Sequence, residues 1–228
     1  MPWIDLDALL GHAQRVVVVA PHPDDEVLGC GGLIADCAQR GIEVRVVAIT
    51  DGEHCYPGQP FWTPVQLQRQ RRRELVAAAR QLGLEPGALV HLGVADGAVA
   101  DSIDRVARRL GQTLRATDLV LCTWQLDGHP DHEAAATAVV RAAQGAGARL
   151  LQYPVWAWHW MGADGPPGPA VDAVRLALGP ATQAAKRRAV ACFTTQTGHC
   201  DPPLRGTGPI LPPHVLARFD RGFEVFFQ

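Results

Sequence analysis

Apolar residues in this chain fall into two patterns that alternate along its length. The first is a short run with no polar face. Residues 15–20, "RVVVVA", are the clearest case, and a β-branched run of this kind predicts a strand covered on both sides. Similar runs predict strands at 43–50, 89–92, 118–123 and 149–155, with a last one in "FEVFF" near the end. The second pattern is a stripe with helical period, found at 31–40, 64–82, 102–116, 131–144 and 181–193. The alternation predicts an α/β fold: a largely parallel sheet flanked by helices. Residues 161–170 and 197–213, rich in Gly and Pro, read as loops; the second is long for a compact domain and is a candidate functional segment.

Polar residues concentrate where three of these strands end. "PHPDDE" (21–26) follows the first, "DGEH" (51–54) the second, and "DGHPDH" (127–132) follows "LVLCTW". In open α/β sheets ligands bind beyond the carboxyl ends of the strands, so parallel pairing would bring the three clusters to one edge. Two histidines and a carboxylate are a common ligand set for Zn²⁺ or Fe²⁺, and His22, Asp25 and His132 can supply it. Asp24 is then placed to take a proton from an attacking water. His129 is placed to stabilise oxyanion charge and protonate a leaving amine, and Asp131 to orient His129.

Simpler readings compete. Asp24, Asp25 or Glu26 could cap the following helix, and so could Asp131 at the later one. Two His-Pro-Asp steps at separate strand ends are harder to explain by capping. "GCGG" (29–32) is not a dinucleotide fingerprint and predicts close backbone approach instead. Trp156, Trp158 and Trp160 have period two, so a strand there would line one face with indoles, either as core or as a platform for a sugar.

"PHPDDEVLGCGG" together with "DGHPDH" resembles the LmbE-like or PIG-L family of metal-dependent N-acetylglucosaminyl deacetylases. "TDGE", "RRRELVAAARQLGL", "LGVADG" and "KRRAVACFTTQ" extend the resemblance along most of the chain. It implies a Rossmann-like sheet and metal ligands at His22, Asp25 and His132. It also implies a general base at Asp24 and an oxyanion-stabilising acid at His129 backed by Asp131. The implied reaction is zinc-dependent removal of an acetyl or other acyl group from an amino sugar or its conjugate, with Fe²⁺ an alternative metal. Arg71 resembles the family's substrate-reaching arginine, although an Arg71–Glu74 pair on the same helix face reads equally well. Asp96 resembles a substrate-hydroxyl ligand, against a simple Asp-Gly turn. His159, before a Gly-rich segment, is a candidate for the substrate rim. One departure is clear: the family's late motif has a histidine three residues before the glutamine, and this chain has Phe193 before Gln196, which predicts an altered pocket edge.

Bulk properties narrow the picture further. The 228 residues suit one deacetylase domain spanning 1–228, and a net charge of -2 argues against nucleic-acid binding. No run is long enough for a transmembrane helix, and the first residues carry acids where an export signal needs bases. Six cysteines without a CxxC pair read as reduced thiols, so a cytoplasmic location is expected. Self-association into a homo-oligomer stays open. Two other functions fit the same residues: a two-histidine, one-carboxylate iron oxygenase, which belongs on an all-β jelly roll, and a metal- or sugar-binding module without turnover.

Overall fold

The structure, a computed structural model, describes residues 1–161 and 172–228. The first predicted loop therefore lies, apart from Met161, outside the described residues. In chain order the elements are β1 (Trp3–Ile4), α1 (Leu6–Leu10), β2 (Arg15–Ala20), α2 (Asp25–Gln39), β3 (Glu43–Ala48), α3 (Pro64–Gln81), β4 (Leu89–His91) and α4 (Ile103–Gly111). They continue with β5 (Asp118–Thr123), α5 (Pro130–Ala146), β6 (Arg149–Tyr153), β7 (Ala173–Ala177), α6 (Pro180–Ala191), α7 (Thr194–Thr197), α8 (Pro213–Leu216) and β8 (Phe223–Phe227).

The strands form one sheet in the order β1-β7-β8-β6-β5-β2-β3-β4. All neighbours are parallel except β8, which runs antiparallel to β6 and β7. The predicted α/β architecture is the observed one. Alternate residues of the valine run bury opposite faces. Val16 and Val18 join a core with α1, α2, α3 and α6, while Val17 and Val19 join a second core with α4 and α5. From β2 the chain adds β3 and β4 on one side, then crosses to place β5 on the other. Such a reversal opens a crevice beyond the carboxyl ends of the two central strands. Here those strands are β2 and β5, the two that precede the His-Pro-Asp steps.

The expected helix at 31–40 starts six residues earlier, at Asp25, and runs through the glycines. It is broken at Cys30, whose φ of -136° is not helical. The break is stabilised from a distance. Glu224 on β8 accepts the N–H groups of Gly32 (2.7 Å) and Leu33 (2.9 Å). Lys186 on α6 donates to the Leu28 carbonyl (2.8 Å) and to Glu224 (2.6 Å). Each stub of the helix thus has its orphaned backbone groups satisfied by a buried side chain of complementary charge. The glycines permit the packing: a Cβ at Gly29 would overlap the Tyr153 ring, and one at Gly32 would overlap Leu178.

Other differences are local. Residues 156–159 form a 3-10 turn, not a strand, so the three indoles share no face. Trp158 packs into the core beneath the Arg221 guanidinium, 4.0 Å from its ring centre. Trp160 stacks on Trp124 (6.0 Å, 20°), and only Trp156 reaches the cleft beside β5. Phe193 is fully buried in the main core and does not line the cleft, whereas Gln196 does. All six cysteines are free thiols. No helix among the described residues is long and apolar enough to cross a membrane.

Candidate functional site

A cleft of ≈ 420 Å³ opens at the switch point and is walled by the loops after β2, β3 and β5 together with residues 155–156 and 210–211. His22, Asp24, Asp25, Arg71, Asp96, His129, Asp131 and His132 all line it, so eight of the nine predicted site residues converge there. The larger hollow between α6 and α8 (≈ 630 Å³), lined by residues such as Val190, Leu216 and Phe219, holds none of them.

At the floor, three electron-pair donors face one another. His22 Nδ1 lies 3.3 Å from Asp25 Oδ2 and 3.3 Å from His132 Nε2, and His132 Nε2 lies 3.4 Å from the same Asp25 oxygen. A tetrahedral ion with bonds of ~2.05 Å needs its ligands ~3.3 Å apart. The triangle therefore has the dimensions of three corners of such a site. The outer nitrogens are also committed. His22 Nε2 meets Asp131 Oδ2 and Asp96 Oδ1, each at 3.2 Å. His132 Nδ1 meets Asp127 Oδ2 at 2.6 Å. A carboxylate behind each imidazole fixes the tautomer that aims the other nitrogen's lone pair inward. Burial opposes charge on His22, yet Asp131, Asp25 and Asp96 hold its pKa well above the ordinary value. Burial pushes Asp25 the other way, but His132 and His22 keep its carboxyl strongly acidic.

Asp24 sits beside the triangle without joining it. It is 7% exposed and is the one non-glycine with positive φ (133°) among the described residues. That conformation costs on the order of 1–3 kcal/mol, so the surrounding contacts must hold it. Its backbone N–H donates to buried Glu26 (3.1 Å), so Glu26 supports the turn and Asp24 caps no helix through its side chain. Arg71 donates to Asp24 Oδ2 (3.1 Å) and to the carbonyls of Pro23 and Gly52. The alternative Arg71–Glu74 pair does not form, because Glu74 accepts from Thr194 and Thr195. Burial raises the Asp24 pKa to about 7, against the opposing pull of Arg71.

Two expectations need correction. Asp131 does not orient His129 with its carboxylate, which is turned to His22 and to the N–H groups of Gly97 (2.8 Å) and Val99 (3.3 Å). Only its backbone reaches His129: the Asp131 N–H donates to His129 Nδ1 at 3.3 Å, as expected where His129 is the N-cap of α5. That acceptor role leaves the ring proton on Nε2. Burial and then the neighbouring His132 and His22 lower the His129 pKa to about 4, which favours its neutral form over the imidazolium. His159, the ninth residue, is absent from the cleft lining and packs on Trp156 instead (4.5 Å, 37°). The second polar cluster divides: His54 lines the cleft and binds Asp96, while Asp51 turns to Arg72 and His91.

Sequence reasoning passed over Asp127. It is fully buried, and beyond His132 it accepts the N–H groups of Val155 (3.0 Å), Trp156 (2.8 Å) and Ala157 (2.9 Å). The signal was its place five residues before His132, where the turn into α5 folds it back. Asp127→Asn presents an amide to one of these donors, and metal affinity is expected to fall by about 10–100-fold. Competition against a chromogenic chelator measures this, with full occupancy restored at high metal.

Fold and site together define an α/β protein with a buried cluster of two histidines and one carboxylate at its switch point, a set that could hold a cation. The PIG-L family (GlcNAc-PI de-N-acetylase) matches residues 17–143, more than half of the chain, and this protein belongs to that family. A 1D-myo-inositol 2-acetamido-2-deoxy-alpha-D-glucopyranoside deacetylase of Corynebacterium glutamicum (strain R) is 36% identical over 144 residues, 52% of this chain and 49% of the relative. A probable N-acetyl-alpha-D-glucosaminyl L-malate deacetylase 2 of Bacillus subtilis (strain 168) is 31% identical over 57% of this chain and 60% of its own length. The matches thus span only about half the length of these curated relatives. Among solved structures, a deacetylase from the teicoplanin biosynthesis pathway superposes with a TM-score of 0.73 at 20% identity, covering 93% of this chain and 96% of that one, which is a likeness of fold.

Proposed function

We propose that the chain is a metal-dependent N-deacylase that hydrolyses the amide of an N-acylated amino sugar, releasing a carboxylic acid and a free amine. The observation that carries this is the ligand triangle with a strained, buried carboxylate, Asp24, at its side. His22, Asp25 and His132 would hold the metal, zinc by the tetrahedral spacing, with Fe²⁺ fitting the same donors. When bound, the metal supplies Lewis-acid polarisation of the acyl carbonyl and acidifies a water.

The residues of the chain account for the protons. Asp24 accepts one from the attacking water as the new C–O bond forms. His129, neutral with its proton on Nε2, donates a hydrogen bond to the developing oxyanion. As the C–N bond breaks, Asp24 returns the proton to the amine. Arg71 keeps the Asp24 carboxylate turned to the site, and Asp131 and Asp96 hold His22. The substrate class is supported by the relatives, whose names specify N-acetylglucosamine conjugates. We assign the whole chain to this one domain, since α1 near one end and Phe226 near the other pack in the same core. The oxygenase reading gains no support from a largely parallel sheet. Acetate release from N-acetylglucosamine or its conjugates, dependent on added metal, is the test.

A further inference from the structure

The metal floor and proton groups account for the amide, but not for how the rest of a substrate is held. One wall of the cleft is aromatic. Trp156 lines it, stands edge to face with His129 (5.7 Å, 72°) and is still 37% exposed. Its indole is not loose. His159 packs on it at 4.5 Å, and its backbone N–H is held by Asp127, the same carboxylate that orients the ligand His132. Trp158 and Trp160 are engaged elsewhere, beneath Arg221 and on Trp124. Of the three clustered indoles, only this one presents surface to the cleft.

A large aromatic surface left open beside a polar reaction centre, and braced from behind, suits a ligand with a flat apolar face. A hexopyranose ring has such a face in its axial C–H bonds. We infer that Trp156 is a stacking platform for the sugar ring of the substrate, backed by His159 and held in register with the metal floor through Asp127. The inference rests on the amino-sugar reading above. A ring on this platform lies beside His129, in the same cleft as the groups assigned to the amide. His159 thereby gains a role as a positioning residue behind the indole, not one that touches substrate.

The test compares zinc-loaded wild type, Trp156→Ala and Trp156→Phe on N-acetylglucosamine and on the acyclic amide N-acetylethanolamine. The platform predicts that Trp156→Ala lowers kcat/KM for the sugar relative to the acyclic amide by about tenfold, mainly through KM, with Trp156→Phe recovering most of the ratio. Zinc content equal to wild type excludes damage through Asp127 and His132. A ratio unchanged in Trp156→Ala overturns the platform while leaving deacylation standing. If wild type releases acid from neither probe, the deacylase reading fails by itself. Calorimetric titration with N-acetylglucosamine then decides the platform: weaker binding to Trp156→Ala supports it, and equal or absent binding overturns it.

Discussion

Asp24→Asn is expected to keep its metal and lose most of its turnover, by about 10²–10⁴-fold. Asparagine is nearly isosteric with aspartate and among the residues most tolerant of positive φ, so the turn at 133° survives the exchange. Arg71 keeps its bonds to the Pro23 and Gly52 carbonyls. What disappears is a group able to accept a proton. Because Asp24 stands beside the triangle of His22, Asp25 and His132, metal content measured by atomic absorption should match wild type. Zinc lost in parallel with activity would instead make Asp24 a ligand.

The second large effect lies far from Asp24 in sequence. Glu224→Ala removes the acceptor for two N–H groups at the break in α2 and leaves the Lys186 ammonium buried with only the Leu28 carbonyl. Removing one partner of a buried pair costs about 3–5 kcal/mol. In a domain of this size that corresponds to a fall in Tm of roughly 10–15 °C. Thermal unfolding followed by circular dichroism measures it. A shift of a degree or two would mean that the break in α2 is stable without Glu224. Because the first stub of α2 carries Asp25, the same variant should also bind metal more weakly.

How much of this was legible in the sequence depended on how far apart the cooperating residues lie. The β2 run was plain, because a strand buried on both faces has to be apolar throughout. The candidate metal site was legible for a related reason. His22 and Asp25 share one turn, and His132 opens a helix directly after a second buried strand, so topology alone brings them together. The start of α2 was not legible. Gly29, Gly31 and Gly32 each weaken a helix by about 1 kcal/mol relative to alanine. The compensation comes from Tyr153, Leu178, Lys186 and Glu224, which no local window contains.

Asp131 was misread because adjacency suggested that it serves His129. The start of α5 turns its carboxylate toward Gly97, Val99 and His22, and leaves only its N–H for its neighbour. The period-two indoles looked like a strand because residues 149–153 are one. The chain tightens into a turn just beyond, where Asp127 gathers three consecutive N–H groups. Asp127 had only its place five residues before His132 as a signal, and an aspartate before a glycine reads first as a turn.

The central claim is that the triangle of His22, Asp25 and His132 binds a metal on which amide hydrolysis depends. The most direct measurement is acetate released from N-acetylglucosamine conjugates by protein stripped with a chelator and then titrated with zinc. The account predicts no release from the stripped protein and activity that rises with zinc to one equivalent per chain. It predicts no such rise in His132→Ala. Equal release with and without metal, or one tight zinc still bound by His132→Ala, would contradict it.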